Sequence, residues 1–472
     1  MICLISQNDG RVSVADYDGP MMSDPPGPTW DELADNDSRA VPEFLRGESW
    51  RDLGDEMLSV DRYTSPDFFR RECEKMWPNV WQFAARVEEM PEPGDYVLYE
   101  NAGRSYLVVR QEDGSVRAFH NVCLHRGRKL RTESGWASDF TCPYHGFAWK
   151  TDGTIKTVPC RWDFPNMRDD DVKLPEAQAG VWAGYIFIKD NEGGPTLEEY
   201  LAPLPDHFAR WRHEEAYTTA WVGKVIKANW KACAEAFMEA YHVSATHPQI
   251  MPFTGDANSK YMMWGDHVNL NITPFGVLSP QIEDAATEQD IIDNFLKYNG
   301  RVVEPGMTLT VAEGRTARAS MGDHNRKRFG AMFGRDLDEA SDAEVQDALT
   351  YNVFPNFSPW GGFQPTILYR WRPWPDQDHT LMEVRLLGRL KPGEEAPQPE
   401  MILLPEGGSF ADHLGQLGNV LEQDMYNLPQ VQAGMKVSKT GQLRLARYQE
   451  SRVRHFQHTL DKYLAREEGD NG

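Results

Sequence analysis

The sequence predicts an α+β protein in which a small all-β domain precedes a larger domain where strands and helices mix. Three observations carry that expectation. Between about residues 78 and 190, short β-type runs alternate with turn signals: DYVLYE, SYLVVRQEDGSVRAF, GFAWKTDGTIKTV and GVWAGYIFIKD. Beyond about residue 200, NWKACAEAFMEAYHV reads as a helix, while ILYRWRPW and TLMEVRLLGRL read as strands paired across PDQDH. The C-terminal stretch LARYQESRVRHFQHTLDKYLA places Tyr448, Val453, Phe456, Leu460 and Tyr463 on one helical stripe.

Each element has a local cause. Asp113-Gly114 and Asp152-Gly153 stand between apolar runs, the composition of a tight hairpin turn. Residues 1–50 are rich in Pro, Gly and Asp and read as an N-terminal extension that wraps the surface or reaches a neighbouring subunit. The β domain with its flanking segments then occupies 51–200, and the mixed domain 201–472. Within the latter, 280–350 is acidic and helix-forming, with Ser341-Asp342-Ala343-Glu344 in capping-box form. That stretch reads as an insertion or lid, with surface decoration as the alternative.

Bulk properties narrow the function. The 472 residues suffice for two or three domains, and the net charge of −23 disfavours nucleic acid and anionic membranes as partners. Six cysteines in this length make no disulfide scaffold. The first residues, MICLISQNDGRVSV, lack a basic segment followed by an apolar run, and no window approaches the length of a membrane span. A cytoplasmic protein with thiols free to bind metal is expected.

Two constellations carry chemistry. In the first, Cys123-Leu-His125 is followed, after sixteen intervening residues, by Cys142-Pro-Tyr-His145. Zinc is one reading of two Cys and two His. Zinc fingers, however, pair like with like, whereas here each turn supplies one thiol and one imidazole. That mixture suits a [2Fe–2S] cluster with both Cys on one iron and both His on the other, the neutral imidazoles raising the reduction potential. Gly127 and Gly146 let the backbone turn close to such a cluster. HNVCLHRG and CPYHGFAW resemble the Rieske motif residue by residue.

In the second, Glu235, Glu239 and His242 follow at helical spacings of four and three, on one face if the helix is continuous. His242 and His247 would stand about 140° apart on a straight helix. Pro248 disfavours the α conformation at His247, so the helix should end there and let both imidazoles reach one metal. Two His and a carboxylate with open positions form the triad of non-haem Fe(II) oxygenases.

The string NWK…E…E-x-YH…H, downstream of a Rieske motif, resembles the mononuclear-iron motif of Rieske-type ring-hydroxylating oxygenase α subunits. The resemblance covers roughly residues 60 to 465. It implies that Asp424, in EQDMYNLPQVQAG, is the carboxylate ligand beside His242 and His247, with Asp412 and Glu422 as fallbacks. It implies that Glu239 bridges a cluster His of one subunit to an iron-ligand His of the next. Asn229 and Glu235 also match motif positions, Asn229 as a candidate catalytic residue with a structural role as the alternative. Tyr241 is expected to pack near the iron, and Phe354-Pro355-Asn356 to be a structural strand element.

The same resemblance implies a helix-grip-like catalytic domain with an antiparallel sheet, head-to-tail homotrimers, and a β subunit in some members. No dinucleotide-binding fingerprint is visible. NAD(P)H electrons would therefore arrive through a separate reductase, directly or by a ferredoxin, with O₂ as co-substrate. The many aromatics point to a hydrophobic or aromatic small-molecule substrate, mono- or dihydroxylated. Oxidative N- or O-demethylation, or oxidation of a quaternary amine in an aromatic cage, is the alternative. Phe237, Met238, Val243, Met262, Asn269 and Phe363 are the expected pocket residues. Outside the class stand two further readings: an electron carrier without oxygenase activity, and a zinc-binding interaction protein.

Overall fold

The computed structural model describes residues 27–298, 306–391 and 393–466. Cys3, the first part of the N-terminal extension, the middle of 280–350 and the last six residues lie outside the described residues.

The first half is built on a seven-stranded antiparallel sheet, ordered Gln82–Arg86, Tyr185–Lys189, Glu176–Trp182, Val116–His120, Arg104–Arg110, Asp95–Asn101 and Gly135–Trp136. Strand periodicity explains why both faces are covered. Leu107, Val109 and Phe119 join Phe140 and Trp149 in one core, while Tyr106, Val108 and Ala118 face Ile186 and Ile188 in another. The first core also holds Cys123 and Cys142. A three-stranded sheet, Asp139–Thr141, Ala148–Lys150 and Ile155–Thr157, closes over that core. Both expected Asp-Gly turns join paired strands, with Gly114 at φ 82° and Gly153 at φ 79°.

The second half carries two sheets. In the larger, Ala216–Ile226 pairs with Thr380–Arg389, which pairs with Thr366–Pro373 across the expected PDQDH turn, Pro373 facing Thr380. In the smaller, Lys260–Trp264, Val268–Thr273 and Ala348–Val353 run antiparallel. A bridge between Thr350 and Trp360 brings the two sheets together. Phe354-Pro355-Asn356 is a turn between two strands rather than the expected strand element, and its Asn356 ties the halves together. Its Oδ1 accepts from the Phe83 N–H at 3.0 Å, and its Nδ2 donates to the Tyr99 hydroxyl at 3.1 Å. The α+β expectation is met.

The C-terminal helix, Ser451–Ala465, buries Val453, Phe456, Leu460 and Tyr463 as its stripe requires, and Tyr448 precedes it. Off that stripe, Arg452, Arg454, His455 and Gln457 are buried too, while His458 and Lys462 stay exposed. Acidic residues of 280–350 behave similarly. The Ser341–Glu344 capping box forms, and Asp342, Glu344 and Asp347 lie buried against Arg326, Arg210 and Arg318 at 2.6–2.8 Å. Arg318 also holds Asp37, and the Trp30 indole donates to Asp347, so the described part of the N-terminal segment is sewn to this region.

The helix expectation fails as well. NWKACAEAFMEAYHV is not one helix: the α-helix covers Trp230–Glu235 only, and a second short helix, Val243–Thr246, follows. A continuous helix would direct the His242 N–H to the Met238 carbonyl. That carbonyl is taken by Arg452 Nη1 at 3.2 Å, and the His242 N–H donates to Glu239 Oε2 at 3.0 Å instead. Glu235 therefore does not share a face with Glu239 and His242; it is held by the Tyr63 hydroxyl and Gln457.

Candidate metal centres

The two Cys/His turns have the same backbone design. The Gly127 N–H donates to the Cys123 carbonyl at 2.8 Å and the Cys123 N–H to the Arg128 carbonyl at 2.8 Å. The Gly146 N–H donates to the Cys142 carbonyl at 3.0 Å and the Cys142 N–H to the Phe147 carbonyl at 2.7 Å. Both glycines have positive φ, 74° and 79°, the backbone conformation that closes each loop.

The result brings the four side chains together. Cys123 and Cys142 are buried with their thiols in hydrogen-bonding contact, and burial pushes the Cys123 thiol up. The His125 and His145 rings lie 4.5 Å apart, and Phe147 stacks on His125. His125 Nδ1 is buried and has no protein partner. Two thiols side by side, two facing imidazoles and a bare ring nitrogen fit a cluster held by Cys on one side and His on the other.

The second centre gathers His242, His247 and Asp424, whose ligand atoms lie within 4.8 Å of one another. The two histidines flank the Val243–Thr246 helix, which ends at His247 (φ −124°, ψ 50°) before Pro248, as expected. Asp424 comes from the Ala411–Lys436 helix, which is broken at Gly415. Leu417, Val420, Leu421 and Asp424 recur there at helical spacing and line one cavity. His247 Nε2 stands 3.1 Å and His242 Nε2 3.6 Å from Asp424 Oδ1.

The other ring nitrogens are anchored. His242 Nδ1 meets Glu239 Oε1 at 2.6 Å, and His247 Nδ1 meets Gln423 Oε1 at 2.8 Å. With Nδ1 as donor, both Nε2 lone pairs converge with a carboxylate, a donor set that calls for a cation. Electrostatics agree. Burial alone would push His242 down, yet the Glu239 hydrogen bond and the Glu239 and Asp424 charges hold it up at about 9. The residues thus fit a divalent metal.

Other expected residues are placed elsewhere. Asn229 caps the Trp230–Glu235 helix, its Oδ1 accepting from the Lys231 N–H at 3.1 Å and its Nδ2 donating to the Gln377 carbonyl at 2.9 Å. It does not line the cavity, and Asn229→Ala should lower stability by about 1 kcal/mol in urea unfolding while iron content is unchanged. Glu422 is held by Lys224 at 2.8 Å, and Asp412 is exposed. Tyr241 is also exposed rather than packed by the centre.

The cavity runs from the triad between the helices and the small sheet. Of the expected pocket residues, Phe237 and Val243 line it; Met238, Met262, Asn269 and Phe363 do not. Asn269 is engaged by Arg452 at 2.6 Å and His455 at 3.1 Å. Sequence reasoning missed Asn271, Thr254, Thr350 and Gln423. The quoted EQDMYN string held Gln423, but nothing local marked its partner.

Comparison with known proteins follows the same division. The model described as "Rieske [2Fe-2S] domain" matches residues 80–168, and that described as "Ring hydroxylating alpha subunit (catalytic domain)" matches 207–466. The naphthalene 1,2-dioxygenase large oxygenase component of Pseudomonas aeruginosa is 37% identical over 38% of this chain and 42% of its own length. The glycine betaine monooxygenase oxygenase subunit of Chromohalobacter salexigens is 29% identical over 42% of this chain and 44% of its own. The chain thus matches less than half the length of these relatives. Among solved structures, naphthalene 1,2-dioxygenase with indole in the active site superposes with a TM-score of 0.62 at 20% identity, over 89% of this chain and 94% of the other. A quaternary ammonium Rieske monooxygenase with L-carnitine bound gives 0.60 at 19%, over 88% and 99%. These structures share the fold.

Proposed function

Because the chain belongs, through its catalytic domain, to the family of ring-hydroxylating alpha subunits, we propose that it is a terminal oxygenase that hydroxylates a small, largely apolar substrate. The observation that carries this reading is the opening of the His242, His247 and Asp424 triad directly onto a mostly apolar cavity. In the reading, Cys123, His125, Cys142 and His145 hold a [2Fe–2S] cluster, and His242, His247 and Asp424 hold Fe(II). When bound, these groups supply electron relay and O₂ activation. The chain's own part is to hold them and to orient the substrate. Glu239 and Gln423 keep the Nδ1 protons of His242 and His247 and so aim both Nε2 atoms. The apolar walls exclude water and place a substrate carbon beside the triad.

The cavity has a volume of about 180 Å³. An apolar cavity of roughly 150 Å³ takes one benzene, so a substrate of one ring, or two compact ones, is favoured. Oxidation of a quaternary amine is supported by the aromatic lining, Phe237, Trp360 and Tyr369, and by the betaine-acting relative. Among the described lining residues, however, no Lys or Arg stands ready for the carboxylate of a betaine. A mere electron carrier would have no use for the triad.

Partners follow from the same reading: a separate reductase, with or without a ferredoxin, delivering NAD(P)H electrons, and a homotrimer in which Glu239 reaches a neighbour's cluster. A cytoplasmic location fits; among the described residues, no helix is long and apolar enough to cross a membrane. Metal analysis should return three irons per chain, and turnover with a generic reductase on a panel of one- and two-ring aromatics should add oxygen to product mass. Two irons and no product would leave only a carrier. Glu239→Gln should keep all three irons yet slow reoxidation of the cluster by at least about tenfold in single-turnover stopped flow, since the bridge between imidazoles is weakened.

A further inference from the structure

The small sheet presents an unexpected polar row to the cavity. Asn271 and Thr273 lie two apart on the Val268–Thr273 strand and share a face. Thr350 is the cross-strand partner of Asn271, and Thr254 is bridged to Phe275 just beyond the strand end. All four line the same cavity as the triad. Asn271 and Thr254 are 5% and 1% exposed.

Their hydrogen bonding is incomplete in a directed way. Asn271 Nδ2 donates to Thr273 Oγ1 at 3.1 Å, and Thr273 Oγ1 is engaged by Ser259 Oγ at 2.9 Å. The amide is thereby oriented, with Oδ1 left over. Asn271 Oδ1 and Thr254 Oγ1 are both buried without a protein partner. A buried polar atom without a partner costs about 1–3 kcal/mol, so two of them in one apolar cavity call for a ligand group.

The chemistry selects that group. An amide oxygen only accepts; a threonine hydroxyl both donates and accepts. A hydroxyl-bearing substrate supplies both kinds of partner, an O–H that Asn271 Oδ1 can accept and an oxygen to which Thr254 Oγ1 can donate. Resting on the oxygenase reading above, we infer that the substrate is already hydroxylated, a phenol or alcohol, and that Asn271 and Thr254 select it over the parent hydrocarbon. The reaction that supplies this substrate must then be one that leaves an oxygen on the ring or side chain.

The test compares matched pairs in which hydroxyl replaces methyl: p-cresol against p-xylene, and 2-naphthol against 2-methylnaphthalene. Dissociation constants are measured by calorimetry on the anaerobic holoenzyme. In at least one pair the hydroxyl member should bind ten-fold or more tightly. Asn271→Leu and Thr254→Val should each cut that preference at least five-fold. Thr254→Val should barely change the melting temperature, because it removes an unpaired buried hydroxyl, whereas Asn271→Leu also gives up the Nδ2 bond to Thr273 Oγ1 and should lower it slightly. Equal affinities, preference for the methyl member, no binding by any of the four, or a preference surviving both substitutions would overturn the inference. Iron content is measured on the same samples. A protein with three irons that prefers p-xylene loses only the hydroxyl inference; one lacking the third iron loses the oxygenase reading itself. The wild-type comparison stands even where a variant fails to fold.

Discussion

Asp424→Ala protein should contain two irons per chain where the parent contains three, keep the visible spectrum of its cluster, and lose turnover. The triad geometry dictates this. Asp424 Oδ1 is the carboxylate atom that both Nε2 atoms face, at 3.1 and 3.6 Å. Removing merely a supporting hydrogen bond from a metal ligand costs about 10–100-fold in affinity, and removing the ligand itself should exceed the upper end. The two imidazoles alone would then hold Fe(II) too weakly to survive gel filtration. The cluster should be untouched, because its two cysteines sit in the core shared with Phe140 and Trp149 in the other half of the chain. Glu422→Ala serves as the control: its carboxylate is occupied by Lys224 and the Phe410 N–H, so iron should stay bound. Retained iron and turnover in the Asp424→Ala protein would sink the triad.

What could be read from the sequence was what is encoded locally. The Cys/His turns are closed by their own glycines and backbone hydrogen bonds, so Cys123, His125, Cys142 and His145 announce themselves within short strings. Pro248 ends a helix by sterics at its immediate neighbour, which is why the position of His247 was legible. Where partners lie far away, reading failed. The helix stops after Glu235, and the Met238 carbonyl is met by Arg452, a partner far along the chain. Acids of 280–350 that look like surface charge are buried because Arg318 and Arg326 of the same stretch, and Arg210 and Trp30 from outside it, meet them. Asn271 and Thr254 become a pair only once two strand segments are laid together. Asn229 and Lys231 could be seen as motif positions, but not that both serve the helix rather than the iron.

Lys231→Met should be the most destabilising single substitution near the site, by about 3–5 kcal/mol. Lys231 and Glu72 are fully buried and paired, and the Trp230 indole donates to the second Glu72 oxygen at 3.0 Å. The lysine also lies over the rings of Tyr63, Phe68 and Trp230. Methionine keeps the apolar stem but abandons the carboxylate in the core. Burial raises Glu72 and lowers Lys231, so each needs the other to stay charged. The sign of the pH effect follows. An acid whose folded-state pKa is raised is best tolerated when protonated. The deficit of Lys231→Met should therefore shrink as pH falls toward the ordinary Glu value of 4.5 and widen as pH rises above it. Adding Glu72→Gln removes the stranded charge while keeping an acceptor for Trp230, and should recover at least half of the loss. Urea midpoints at constant slope read all three proteins. A shift under about 1 kcal/mol would mean that the pair matters no more than an exposed one. Because Lys231 lies in the helix leading to Glu239 and His242, the same variant should lose iron on mild warming before the parent does.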